Sequence, residues 1–145
     1  MIYREELRRL CPEVVLQDKP EGVLAIFAVK LPEGANAGRV ASMLSAHGIE
    51  TRRWYCPPLY EHPAFSACRT SGDLAVSRNL ATRILGLPFH IQLSNEDIHT
   101  VCMNLDLAMA RELRRNEPAP DMPAPMLKTR PFHAHGRARK QSSRI

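Results

Sequence analysis

The chain has no Gly-x-Gly-x-x-Gly loop, no Walker segment and no Gly-x-Ser-x-Gly elbow, and its seven glycines are scattered. Phosphate cradles need glycine for close backbone approach, so no such cradle is expected from these residues. Lysine is scarce too: Lys19 stands in a turn, Lys30 at a strand end, and Lys128 and Lys140 in the C-terminal tail. A Schiff-base lysine is normally desolvated, and none of these four positions suggests it. The longest apolar run, Val23 to Val29, is far shorter than the ~20 residues that span a bilayer. The opening Met1-Ile2-Tyr3-Arg4-Glu5-Glu6 is acidic where a secretory signal is apolar. A cytoplasmic, reducing location without a membrane partner is therefore expected, with Cys11, Cys56, Cys68 and Cys102 as free thiols. Cys56, His62 and Cys68 share one stretch, but their separations match no close-pair zinc spacing, and no metal site is expected. No internal repeat is present.

What remains is a chain of 145 residues, 44% apolar, which suits one domain with a real core. The formal net charge of +5 is unevenly placed: residues 1 to 115 carry 14 basic and 13 acidic side chains, and 116 to 145 carry 6 and 2. The body is nearly neutral, which argues against a nucleic-acid-binding core. It leaves at most weak, salt-sensitive binding through Arg130, Arg137, Arg139, Lys140 and Arg144.

Periodicity orders the elements. Residues 1 to 10 read as a helix with Ile2, Tyr3, Leu7 and Leu10 on one face, uncapped at its start as though it were the end of something longer. Val14 to Leu16 is a short strand, Val23 to Val29 a buried one and Ile49 to Tyr55 another. Between the last two, Asn36 can cap a helix carrying Val40, Met43, Leu44 and His47, with Gly48 at its left-handed C-terminal position. Cys56 to Gly72 is a loop rich in proline and aromatic rings. Ser77 is expected to cap a helix with Leu80, Ala81, Ile84 and Leu85 inward, stopped by Gly86 and Pro88. A brief extended piece, Leu87 to Ile91, follows it. Ser94-Asn95-Glu96-Asp97 resembles a capping box opening the longest helix, with Ile98, Val101, Cys102, Leu105 and Met109 on one face. Beyond Asn116 the prolines come at two- or three-residue steps, so 116 to 145 is expected to be a disordered basic tail. The order implies an α+β fold in which a small sheet is covered by helices.

Gly48-Ile49-Glu50-Thr51-Arg52-Arg53-Trp54-Tyr55-Cys56-Pro57-Pro58-Leu59-Tyr60-Glu61-His62-Pro63-Ala64-Phe65 resembles the C-terminal region of the DegT/DnrJ/EryC1/StrS aminotransferases. Leu80 to His90 is similar to that family's run of helix, Leu-Pro and short strand, and Leu93 to Ile98 to the opening of its final helix. The resemblance implies the small C-terminal domain of a fold-type I enzyme dependent on pyridoxal phosphate, over residues 11 to 115, with 1 to 10 as the end of an interdomain helix. It further implies homodimers that aminate keto groups of nucleotide-linked sugars for polysaccharide biosynthesis. The family's large domain supplies the Schiff-base lysine, the acid at the pyridinium nitrogen and the phosphate contacts. That domain is absent from these residues, so the chain alone is expected to bind no cofactor and to be inactive. Arg52, Tyr55, Tyr60 and His62 are the substrate-binding candidates the resemblance implies, with no catalytic residue among them. Tyr60 stands where the family most often has histidine, and Cys56 where an aromatic is common. Each has a plainer reading as well: Arg52 pairing with a carboxylate, Trp54 in the core, Tyr60 packing on proline, His62 solvated, His47 satisfied in the core or at its edge. The alternatives in function are a non-catalytic protein docking on an intact relative, or weak nucleic-acid binding by the tail.

Overall fold

A computed structural model of the chain describes residues 2–18, 24–54 and 56–116. Along the chain run helix α1 (Ile2–Leu10), strand β1 (Val15–Leu16), strand β2 (Phe27–Lys30), helix α2 (Ala37–Ser45), two single-turn 3-10 helices (Leu59–Glu61 and Pro63–Phe65), helix α3 (Ala75–Arg83), strand β3 (Ile84–Leu87) and helix α4 (Asn95–Asn116). The strands form one antiparallel sheet in the order β1-β2-β3, with Val15 opposite Lys30 and Phe27 opposite Leu87. The α+β expectation holds.

Alternation along the sheet sorts its two faces. Phe27, Val29, Leu85 and Leu87 are buried in one cluster with Tyr3 and Leu7 of α1, Val40 and Leu44 of α2, and Val101, Cys102, Leu105 and Met109 of α4. Each large apolar side chain so buried contributes about 1.5–3 kcal/mol. The Tyr3 ring stacks on Phe27 at 4.7 Å, tying α1 to the sheet. Ala28, Lys30 and Ile84 line a cleft together with Leu80 and Ala81 of α3.

Local chemistry explains the helix boundaries. Asn36 Oδ1 accepts from Gly38 N at 2.9 Å and Arg39 N at 3.2 Å, capping α2. Gly48 takes φ of 74°, the left-handed position that glycine reaches without a Cβ penalty. Ser94 Oγ accepts from Asp97 N at 3.1 Å while Asp97 Oδ2 accepts from Ser94 N at 2.9 Å, the reciprocal box that opens α4.

Five expectations need correction. The strand expected over 23 to 29 starts only at Phe27 and runs to Lys30. The strand expected over 49 to 55 is a single bridge between Arg52 and Gly86. Ile84 and Leu85 belong to β3, not to the preceding helix, because antiparallel pairing with Lys30 and Val29 overrides their helical spacing. Ser77 lies inside α3, at whose start Asp73 Oδ1 accepts from Ala75 N at 3.1 Å. His47 is exposed, not in the core, and its Nδ1 donates to Met43 O at 2.9 Å. The expected tail, apart from Asn116, lies outside the described residues.

Candidate functional site

The bridge between Arg52 and Gly86 anchors the segment that carries the candidate residues. Arg52 N donates to Gly86 O at 2.9 Å and Gly86 N donates to Arg52 O at 2.7 Å. Beyond it the backbone leaves the sheet: Trp54 folds back over Gly86, and the peptide between Cys56 and Pro57 is cis.

Two clefts open on either side of this segment. The larger, about 1370 Å³, is lined by Arg52, Arg53 and Trp54, by Ser42, Ser45 and His47 around the end of α2, by His90, and by Asp97 and Thr100 at the start of α4. Its wall mixes charge, hydroxyl and imidazole with the rings of Phe27 and Phe89. The Asp97 carboxyl is held below the usual carboxylate range, first by hydrogen bonding to the Ser94 side chain and then by the Ser94 backbone. It therefore stays ionised at neutral pH.

The second cleft, about 760 Å³, is mostly apolar: Val15, Leu16, Ile26 and Ala28 meet Pro58, Leu59, Tyr60, Leu80 and Ile84, with Asp18 and Lys30 as its charged members. Trp54 lines both clefts, Arg52 only the first and Tyr60 only the second.

The four sequence-predicted residues are thus not brought to one point. Arg52 is exposed at the polar cleft and makes no side-chain ion pair among the described residues. Tyr60 is half-buried, with the Arg78 guanidinium 6.0 Å from its ring centre. Its hydroxyl is shielded from solvent and has no hydrogen-bond partner among the described residues. A shielded phenol without a partner is costly, and it can donate to or accept from a ligand that enters the cleft. His62 is exposed and lines neither cleft. Its Nδ1 accepts from Ala64 N at 3.2 Å, which caps the second 3-10 turn and leaves Nε2 to carry the proton. Tyr55 lies outside the described residues.

Arg53 and Gly86 are the positions that sequence reasoning missed. Arg53 Nη2 donates to Ala81 O at 3.1 Å and to Cys56 Sγ, while its Nη1 lies against Gly38, so one guanidinium joins α2, α3 and the loop. Gly86 reads in sequence as a helix stop, but it sits inside β3 beneath the Trp54 indole. A glycine within an apolar run marks close approach by another group, and that was the signal available.

The four thiols divide by depth. Burial, aided by their mutual proximity at Cys11, pushes Cys11 up to about 12, and burial pushes Cys102 up to about 12, so both stay protonated. Cys56 and Cys68 are exposed. Lys30, the sole lysine among the described residues, is half-buried in β2 with Val15 and Ile84 as its sheet neighbours.

Comparison with known proteins gives the arrangement a context. Residues 1–106 match the DegT/DnrJ/EryC1/StrS aminotransferase family. Protein Rv3402c of Mycobacterium tuberculosis is 35% identical over 75 residues, which cover 50% of this chain and 18% of that protein. Among solved structures, a DegT DnrJ EryC1 StrS aminotransferase from Brucella abortus is 28% identical with a TM-score of 0.60, over 72% of this chain and 28% of that one. DesI, solved in the presence of its TDP-sugar product, is 28% identical with a TM-score of 0.66, over 79% of this chain and 30% of that one. The chain thus spans under a third of these relatives.

Proposed function

The chain belongs to the DegT/DnrJ/EryC1/StrS aminotransferase family, and from that membership we propose that it forms the small C-terminal domain of an enzyme that moves an amino group onto a keto group of a nucleotide-linked sugar. The observation that carries this reading is the placement of Arg52, Trp54 and Tyr60. They lie within the matched residues, on one segment, and together they line both clefts. An exposed guanidinium offers forked donors to a phosphate or to sugar oxygens. Tyr60 offers a hydroxyl that donates or accepts but cannot take a positive charge. The nucleotide-sugar class is supported by DesI, whose structure was solved in the presence of its TDP-sugar product. A cytoplasmic homodimer belongs to the same reading.

Pyridoxal phosphate supplies the electron sink in such enzymes when it is bound. The described residues do not fit it. Among the described residues, Lys30 lines the apolar cleft with Val15, Ile26 and Ile84, and no other basic side chain and no glycine lines that cleft to hold a phosphate. Residues 1–145 alone are therefore proposed to be inactive.

Two measurements test this. The 145-residue chain, mixed with pyridoxal phosphate and passed through gel filtration, should retain no saturable visible band. A retained band that vanishes in Lys30→Ala would reveal a cofactor site in these residues. In a chimaera carrying this segment within an intact sugar aminotransferase, Arg52→Ala should weaken use of the keto sugar by about tenfold or more, the worth of one charged hydrogen bond. Tyr60→Phe should act in the same direction, with cofactor affinity unchanged in both. Equal loss of cofactor binding would place the segment away from the substrate.

A second reading, a non-catalytic protein that docks on an intact relative, is favoured by the open apolar cleft, at which Val15 is 53% and Leu59 48% exposed. Co-purification with such a relative, lost on Leu59→Asp, would support it over the first.

A further inference from the structure

Gly86 is the point at which the candidate segment meets the sheet. It exchanges two backbone hydrogen bonds with Arg52, at 2.9 and 2.7 Å, and carries the Trp54 indole directly above it. A β-carbon at this position would stand 2.2 Å from Trp54 Cη2 and 2.4 Å from Trp54 Cζ3, far inside van der Waals contact. It would also lie 3.3 Å from Arg52 O, on the bridge itself. The ring cannot tilt aside without consequence, because Trp54, together with Ile26, lines both the cleft that Arg52 lines and the one that Tyr60 lines.

We infer that Gly86 is a positioning residue: by leaving room for the Trp54 indole against β3, it fixes the partition that opens Arg52 into the polar cleft and Tyr60 into the apolar one. The inference rests on the substrate role proposed above for that segment. It also reverses an ordinary expectation. Glycine inside a strand is usually a weakness that alanine repairs; at position 86 alanine is the disruptive residue, and the disruption runs through Trp54.

The test uses the full 145-residue chain, in which Trp54 is the one tryptophan and so reports without interference. In Gly86→Ala, Trp54 emission should shift to the red and its quenching by acrylamide should rise. Amide exchange at Arg52 should quicken by about tenfold or more while that of Leu105 in α4 stays as it was, since segments open locally with their own free energies. Adding Trp54→Phe removes the two ring atoms that collide, and the Gly86→Ala/Trp54→Phe chain should regain slow exchange at Arg52. If Gly86→Ala alone fails to fold, folding of the double variant is the same rescue. Unchanged emission and exchange in Gly86→Ala, or a double variant no better than the single, would overturn the inference. None of these readouts involves substrate, so an Arg52→Ala chimaera with normal sugar use would remove the functional reading and leave the positioning one standing.

Discussion

At the level of single residues, Glu112 carries the plainest electrostatic cost. Its side chain is 2% exposed, and its Oε1 accepts from Arg39 Nε at 2.6 Å and from Asn36 N at 3.3 Å, with Arg39 Nη2 alongside. A buried carboxylate is tolerated only when paired, and this one joins the last turns of α4 to the first turn of α2. The Arg39 hydrogen bond, opposed by burial, holds its carboxyl below the usual range. The sign of the pH effect follows. A carboxyl lowered in the folded state adds stability above its unfolded value of about 4.3, and that stability is lost as pH falls through the folded value. Glu112→Gln keeps the shape but loses the charged bonds, which should cost about 2 kcal/mol at pH 7. The difference between the two proteins in urea should narrow below about pH 4. A constant difference down to pH 3 would show that the loss is one of packing.

Among the elements, α4 depends most on its opening. Ser94 supplies an acceptor to Asp97 N and, through Oγ, a donor to Asp97 Oδ2 at 2.6 Å, so Ser94→Ala should cost about 1 kcal/mol. Thermal unfolding followed by circular dichroism should fall accordingly, and an unchanged midpoint would show that packing alone sets the start of α4. This box was legible because capping is written in four adjacent residues, as were the Asn36 cap and Gly48. The sheet was less legible. Val23 to Val29 is apolar throughout, yet the paired residues are set by what lies opposite, and Ile84 to Leu87 of β3 pair only with Phe27 to Lys30. Ile84 and Leu85 keep the spacing of the helix before them, and nothing local announces that Arg83 ends it. Its closure is tertiary: Arg83 Nε donates to Leu31 O at 2.9 Å and Arg83 O accepts from Leu31 N at 3.0 Å, which starts the ladder. For the site, the motif pointed to the right segment but not to its division, because that division depends on a ring lying over a glycine more than thirty positions along.

For the whole molecule, every member of the core cluster falls between Tyr3 and Met109, and the last described contact of α4 is Asn116 Nδ2 donating to Gly34 O at 2.7 Å. The family match ends at residue 106. Beyond Asn116 the sequence has Pro118, Pro120, Pro123 and Pro125 and no apolar period, a pattern from which no contribution to this core is predicted. Truncation after Asn116 should therefore shift the thermal midpoint by less than about 3 °C, the scale of a fraction of a kcal/mol in a domain of this size. The same truncation removes four of the five net positive charges. If the chain binds RNA, the binding should be weak, should fall steeply between low and moderate salt, and should disappear with the tail, because the nearly neutral body has few cations to spare for phosphate. RNA binding that survives truncation would move the interface to Arg52 and the polar cleft. A large fall in the midpoint would instead show that the last 29 residues cover apolar surface that the described residues leave open.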